Sequence, residues 1–299
     1  MNEKTKKPLF RGVATALITP FQNGKVDLFT FRRLVNFQLG TKIAALVVAG
    51  TTGEAPTLSE RERDALLCEA IDAACGRVPI IMGCGSYDTA HAVGYAKRAK
   101  ELGADGTLVV TPYYNKGTRA GLREHFLHIA DAADIPLILY NVPSRTGVDL
   151  TLEDYDALLS HESICGVKEA GSSIEKMAML CHLASGRAAV YTGNDSMLLP
   201  SLSVGADGVI SVASCILPNA MCKIFSRFGV CDIASAQKEN ARLLKIFTLL
   251  FKETNPSPVK HALSLLGFGD GSLRLPLTPP DEALCHAIKE ELAYLSEGI

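Results

Sequence analysis

The chain reads as an α/β protein, a (β/α)8 TIM barrel with a C-terminal helical extension. Three observations predict this. Eight short β-branched runs recur at intervals of roughly 20–35 residues, the length of one βα unit. Those runs, TLVVT and LILY among them, are nearly continuous in apolar residues, as strands buried on both faces are. The segments between them carry helical spacing and helix-end signals. Eight units in series close as a barrel. A doubly wound sheet is the alternative, but it would not need eight units so evenly spaced.

In chain order the expected strands are Val13–Thr19, Ala45–Ala49, Pro79–Gly83, Gly106–Thr111, Pro136–Asn141, Ile164–Glu169, Ala189–Gly193 and Gly208–Val212. Ser59 followed by Glu62 forms a capping-box pattern that opens a helix over Glu60–Cys75. Thr89–Leu102 places Ala90, Val93, Ala96, Ala99 and Leu102 along one side and stops at Gly103, a C′ glycine. Beyond about residue 217 the pattern changes to helices near 218–229, 231–254 and 258–266, a proline-rich LRLPLTPP turn, and a last helix near Asp281–Ser296. The first of these closes the barrel. The expected division is therefore a catalytic barrel over 1–225 and a helical extension over 226–299.

Composition narrows the function classes. At 299 residues and 47% apolar the chain can bury a full core. Lys+Arg number 30 against 32 Asp+Glu, which removes the electrostatic case for nucleic acid. No apolar run approaches the ~20 residues of a membrane span. Met1–Lys7 carries three lysines without an apolar segment behind them, so it reads as a frayed, solvated tail and not as a secretory signal. The nine cysteines are odd in number and lack a CxxC pair, which points to buried reduced thiols in a cytoplasmic protein.

Barrel active sites lie at the C-terminal ends of the strands. The segments there are GTTGEA (50–55), TPYYN (111–115), YNVPSRTG (140–147), GVKEAG (166–171), TGND (192–195) and GVISV (208–212), together rich in Thr, Tyr, Asn, Arg and Lys where the strands leading to them are apolar. Lys168 closes the sixth strand. A lysine beside Glu169 is also explained by a solvated ion pair, yet the end of an apolar strand is a costly place for an ammonium group. An amine desolvated in such a place loses proton affinity and becomes able to attack a ketone. Tyr140 ends the neighbouring strand and is the acid–base candidate, with a satisfied core tyrosine as the plainer reading. Thr51 and Thr52 suit a carboxylate, through hydroxyls and backbone N–H groups near the start of the next helix, or ordinary turn chemistry. Arg145 offers a bidentate partner for a carboxylate, or a solvated loop cation.

GTTGE, TPYYN, YNVPSRTG and GVKEA, in this order and spacing, closely resemble the dihydrodipicolinate synthases of the class I pyruvate-dependent aldolase family, which also contains N-acetylneuraminate lyase. The resemblance runs from about Gly12 through NPSPVK (255–260) to LRLPLTP (273–279). It implies that Lys168 forms an imine with pyruvate and that Tyr140 is the acid–base residue. Thr51 would link Tyr140 to Tyr114 in a proton relay, the latter reaching in from a neighbouring subunit. Thr52 would hold the pyruvate carboxylate, the backbone at Ile210 would line the same pocket, and Gly193 would assist. Arg145 would meet the carboxylate of aspartate semialdehyde, giving 4-hydroxy-tetrahydrodipicolinate in lysine and diaminopimelate biosynthesis. No metal or organic cofactor is implied, and the assembly implied is a homotetramer of tight dimers.

Sister aldolases acting on N-acetylneuraminate or 2-keto-3-deoxy sugar acids generally lack the SRTG arginine, so Ser144-Arg145-Thr146-Gly147 favours the synthase branch. A silent barrel that only binds keto acids is a further alternative, disfavoured by the full set of Lys168, Tyr140, Thr51 and Arg145. Lysine-inhibited members carry a serine, histidines, an Asn and a Glu where this chain has Ala55, Glu60, Arg63, Tyr87 and His91, and only Tyr113 persists. Weak or absent feedback by lysine is the expectation. Gly83-Cys84-Gly85 reads as a tight turn, not a dinucleotide loop, and His125 with His128 lacks further metal ligands. Met177, Met179, Phe225, Phe228 and Phe247 read as helix core.

Overall fold

The computed structural model describes residues 6–297, so the expectation for Met1–Thr5 lies outside the described residues. Eight parallel strands lie where the apolar runs stand: β1 Gly12–Ala16, β2 Ala45–Val48, β3 Ile80–Gly83, β4 Gly106–Val110, β5 Leu137–Asn141, β6 Ile164–Glu169, β7 Ala189–Thr192 and β8 Gly208–Ser211. They form a closed barrel in the order β1-β8-β7-β6-β5-β4-β3-β2. Each strand of β2, β3, β5, β6, β7 and β8 is buried at every position, the burial that a sheet covered on both faces demands. A small antiparallel hairpin, Phe21–Gln22 with Lys25–Val26, follows β1.

The chain divides into two compact units, Met1–Gly12 with Pro79–Ile210, and Val13–Val78 with Ser211–Ile299. In the first unit, β5 and β6 pair residue for residue over Ile138↔Gly166, Leu139↔Val167, Tyr140↔Lys168 and Asn141↔Glu169. Helices Thr89–Glu101, Arg119–Ala133, Leu152–Leu159 and Ile174–Ala184 pack one on the next outside these strands. In the second unit, β1 pairs with β2, and helices Leu28–Leu39 and Glu60–Ala74 pack together. The extension contributes Pro218–Gly229, Ile233–Leu250, Ser257–Leu265 and Glu282–Glu297, close to the helices read from the sequence.

Local signals place the helix ends. Ser59 and Glu62 make both bonds of the capping box, and Gly103 follows its helix with φ +92. The buried face of Thr89–Glu101 is Ala92, Ala96 and Ala99, and Ala90 is exposed. A strict three-residue spacing falls behind a 3.6-residue turn, so the stripe drifts off the core after two turns. Met179 is also exposed while Met177 is buried, because residues two apart on a helix point to different sides. Phe247 is buried and Phe225 and Phe228 are partly so.

Two further readings are corrected. Cys84, Cys165, Cys215 and Cys222 are buried, but Cys68, Cys75 and Cys231 are exposed, all nine being free thiols. Cys75 and Cys231 stand at left-handed turn positions that close helices, where the chain is at the surface. Lys6 is no solvated tail residue. Its Nζ donates to the carbonyls of Leu159, His161 and Ile164 at 2.8, 2.6 and 3.1 Å, satisfying acceptors from the end of helix Leu152–Leu159 through the following turn to the start of β6.

Candidate active site

Lys168 is 6% exposed at the end of β6, and its register partner on β5 is Tyr140, 7% exposed. The lysine Nζ lies 4.2 Å from the centre of the Tyr140 ring. Alternation along a strand sends the next pair, Glu169 and Asn141, to the opposite face. There Glu169 is fully enclosed, and its carboxylate accepts from Asn141 Nδ2 at 3.0 Å, Tyr155 O–H at 2.7 Å and the Gly171 N–H at 2.6 Å. Lys176 Nζ stands 3.2 Å from the same carboxylate. Burial, reinforced by Glu169, holds the Tyr155 phenol well above its ordinary range, so it stays a neutral donor. Glu169 is taken up by this outward network and not by the ion pair with Lys168 that was the plainer alternative reading, and the amine is left to the inner face.

Gly193, just past β7, stands against the stem of the lysine. A Cβ there would lie 2.7 Å from the Ala170 Cβ and 2.9 Å from the Lys168 Cε, so no larger residue fits without moving the amine's stem. Its N–H donates to the Glu169 carbonyl at 2.8 Å. Ile210 is wholly buried within β8.

The YNVPSRTG segment turns immediately after Tyr140 into a short helix, Pro143–Thr146, ended by Gly147 at φ +65. Thr146 pins it, donating from Oγ1 to the Val148 carbonyl at 3.0 Å and accepting from Thr111 Oγ1 at 3.2 Å. Arg145 lies on the exposed side of this turn. In TPYYN, Tyr113 meets the Tyr87 ring edge-on at 5.5 Å, whereas Tyr114 has φ +69 and is 89% exposed. A non-glycine residue in that conformation stores strain, and strain of this kind concentrates at functional sites.

The GTTGE loop of the second unit is held at three successive residues. Thr52, 4% exposed, accepts at Oγ1 from Asn255 Nδ2 at 3.0 Å. The Gly53 carbonyl accepts from Thr19 Oγ1 at 2.7 Å. Glu54, left-handed at φ 55 and 2% exposed, accepts from Lys260 Nζ at 2.6 Å and from the Arg274 N–H at 3.0 Å. Burial pulls the Lys260 ammonium below its ordinary range, against the opposing pull of Glu54. The Phe21 ring faces both cations, 4.1 Å from Lys260 Nζ and 4.4 Å from the Arg274 guanidinium. Thr51 is half-buried at the head of the loop. A 3-10 turn, Ala55–Thr57, intervenes before helix Glu60–Ala74, so the threonines sit on a clamped turn and not at a helix start.

With this geometry in place, the dihydrodipicolinate synthetase family model matches residues 9–294. The chain belongs to that family. Among dihydrodipicolinate synthetase relatives, the 4-hydroxy-tetrahydrodipicolinate synthase of Exiguobacterium sp. is 47% identical over 91% of this chain and 93% of its own length. That of Alkaliphilus oremlandii is 43% identical over 95% of this chain and 98% of its own. The solved dihydrodipicolinate synthase of Thermotoga maritima superposes with a TM-score of 0.95 at 38% identity, covering 96% of this chain and 99% of that one.

The residues that sequence reading did not single out are Glu54, Asn255 and Lys260, and Asn141, Tyr155 and Glu169 as a network. Glu54, Asn141, Glu169, Asn255 and Lys260 all fall inside the resembling segments GTTGE, YNVPSRTG, GVKEA and NPSPVK, and only Tyr155 lies outside them, but no local pattern says what each side chain meets.

Proposed function

We propose that the chain is a Schiff-base lyase that condenses pyruvate with L-aspartate 4-semialdehyde to give 4-hydroxy-tetrahydrodipicolinate. The observation that carries this is the Lys168 amine, buried at a strand end against the Tyr140 ring, in a family whose relatives bear that activity. Lys168 attacks the pyruvate ketone, and Tyr140 moves the protons on and off the carbinolamine oxygen. Thr51 relays protons between Tyr140 and Tyr114, and the exposed, strained Tyr114 serves the site of a neighbouring subunit. Thr52 holds the pyruvate carboxylate, with Ile210 and Gly193 lining the pocket, and Arg145 meets the carboxylate of the semialdehyde.

The lysine imine is itself the electron sink, so this chemistry needs no metal or organic cofactor. Loss of a proton from the imine methyl gives an enamine, which adds to the aldehyde, and the incoming amine then releases Lys168 as the ring closes. We assign residues 1–225 to the catalytic barrel and 226–299 to the extension, with a homotetramer of tight dimers in the cytoplasm as the working form. Among the described residues no helix is long and apolar enough to cross a membrane.

A coupled assay decides the reading. Purified protein supplied with pyruvate and aspartate semialdehyde should turn over, and N-acetylneuraminate or 2-keto-3-deoxy acids should not substitute. Preference for a sugar acid would reassign the chain to a sister aldolase.

A further inference from the structure

We propose that Asn255, in the C-terminal extension, is a positioning residue for carboxylate recognition that commits the Thr52 hydroxyl to act as a donor. The inference rests on the reading of Thr52 as the holder of the substrate carboxylate. A threonine hydroxyl has one proton and two acceptor lone pairs. Asn255 Nδ2 donates to Thr52 Oγ1 at 3.0 Å, and both residues are 4% exposed. With an amide proton occupying its acceptor side, the hydroxyl directs its own proton elsewhere, and it becomes a stronger donor by polarisation. A carboxylate substrate offers only acceptors, so a hydroxyl fixed as donor suits it.

The surrounding bonds show that this loop is built to hold one arrangement. The Gly53 and Glu54 N–H groups donate to the carbonyls of Gly50 and Thr51, both at 3.1 Å. A Cβ on Gly53 would approach the Ala49 Cα at 3.1 Å and the Leu17 carbonyl at 3.2 Å, so a side chain there would press on backbone that has to give by a few tenths of an ångström. Lys260, five residues beyond Asn255, grips Glu54 from the same segment at 2.6 Å. The 255–260 segment thus reaches the loop twice. Its ion pair with Glu54 sets where the loop lies, and its amide sets which way the Thr52 hydroxyl points.

An aspartate at 255 reverses the polarity. Its carboxylate only accepts, so it takes the Thr52 proton and turns a lone pair toward the substrate. Steady-state kinetics on the full-length protein test this with Asn255→Asp, Asn255→Ala, Thr52→Val and the Asn255→Ala/Thr52→Val double variant, alongside thermal melting. Each single variant should raise the KM for pyruvate by roughly 10–100-fold with kcat changed by less than about 3-fold, the signature of lost substrate binding. The double variant should be no worse than Thr52→Val alone, because both changes remove one interaction. Multiplying effects in the double variant, or an unchanged KM in Asn255→Asp, would overturn the assignment. If Asn255→Ala does not fold, the near-isosteric Asn255→Asp carries the test. Wild-type protein that fails to trap pyruvate under borohydride defeats the reading of the whole site, whereas normal wild-type trapping with independent variants defeats only the role of Asn255.

Discussion

Lys168 and Tyr140 are register partners on adjacent parallel strands, with the lysine Nζ 4.2 Å from the centre of the tyrosine ring. One residue further along, Asn141 and Glu169 repeat the pairing on the opposite face, where Asn141 Nδ2 bonds both carboxylate oxygens at 3.0 Å. The pair proposed to react and the pair that fixes the strands are therefore successive rungs of one ladder. A reacting amine gains most when its position is set before substrate arrives, and this ladder sets it from the polymer backbone.

Gly193 enforces the same position from the next strand. Gly193→Ala places a methyl group 2.9 Å from the Lys168 Cε, with overpacking that costs about 1–3 kcal/mol. The expected outcome is a folded protein with a slightly lowered melting temperature and turnover reduced roughly 100-fold, the scale of loss from a misplaced reacting group. Melting curves and kcat measured on the same preparation check it. Unchanged turnover would show that the lysine stem does not depend on this wall.

Tyr114 separates activity from stability. At φ +69 its backbone is strained for any residue but glycine, and its ring is 89% exposed. Tyr114→Gly relieves the backbone, so melting should be unchanged or improved by up to about 1 kcal/mol, while turnover falls sharply through loss of the relay hydroxyl. Tyr114→Phe should show the same kinetic loss without the gain. Sedimentation of wild-type protein should give an assembly, and full activity in a monomer would remove the proposed role.

Acid sensitivity should trace in part to His125. It is 4% exposed, its Nδ1 lies 2.9 Å from Thr89 Oγ1, and its Nε2 is buried without a hydrogen-bond partner among the described residues. Burial pushes its pKa down to about 4, against the weak opposing pull of Asp88. The unfolded chain then takes up this proton first as pH falls. The His125 contribution is complete above about 6.5, is lost as pH falls toward about 4, and amounts to about 3 kcal/mol. Denaturant unfolding across that window should show the slope in wild-type protein and a flatter profile in His125→Gln.

Lysine should be a poor inhibitor. Tyr87 stands edge-on to Tyr113 at 5.5 Å, and the His91 imidazole lies 3.5 Å from Asp88, so position 91 brings a ring and no carboxylate. An ammonium group finds no anionic partner from that residue. Titration of the purified enzyme with lysine should leave activity intact below millimolar levels, and clear inhibition there would contradict this reading.

The barrel was legible because each parallel strand must be apolar on both faces, which writes β1 to β8 into the sequence as unbroken runs. Lys168 and Tyr140 stood out as polar residues ending such runs, each beside a plainer structural reading, and Thr52 stood out in the turn after one. Other features lie in contacts that no local pattern encodes. Asn255 meets Thr52, and Lys260 meets Glu54, each across more than two hundred residues. Glu169 was visible only as a neighbour of Lys168, because strand alternation tells which face it takes but not what waits there. The exposure of Met179 and Ala90 shows the converse limit, in which residue type suggested core and helical geometry turned the side chain outward.

The central claim is that Lys168 forms an imine with pyruvate. Treating the protein with borohydride in the presence of pyruvate, then mapping modified peptides by mass spectrometry, tests it most directly. A reduced pyruvyl adduct on Lys168, absent from Lys168→Ala, is the predicted result. No adduct, or an adduct on another lysine with Lys168 unmodified, would contradict the account.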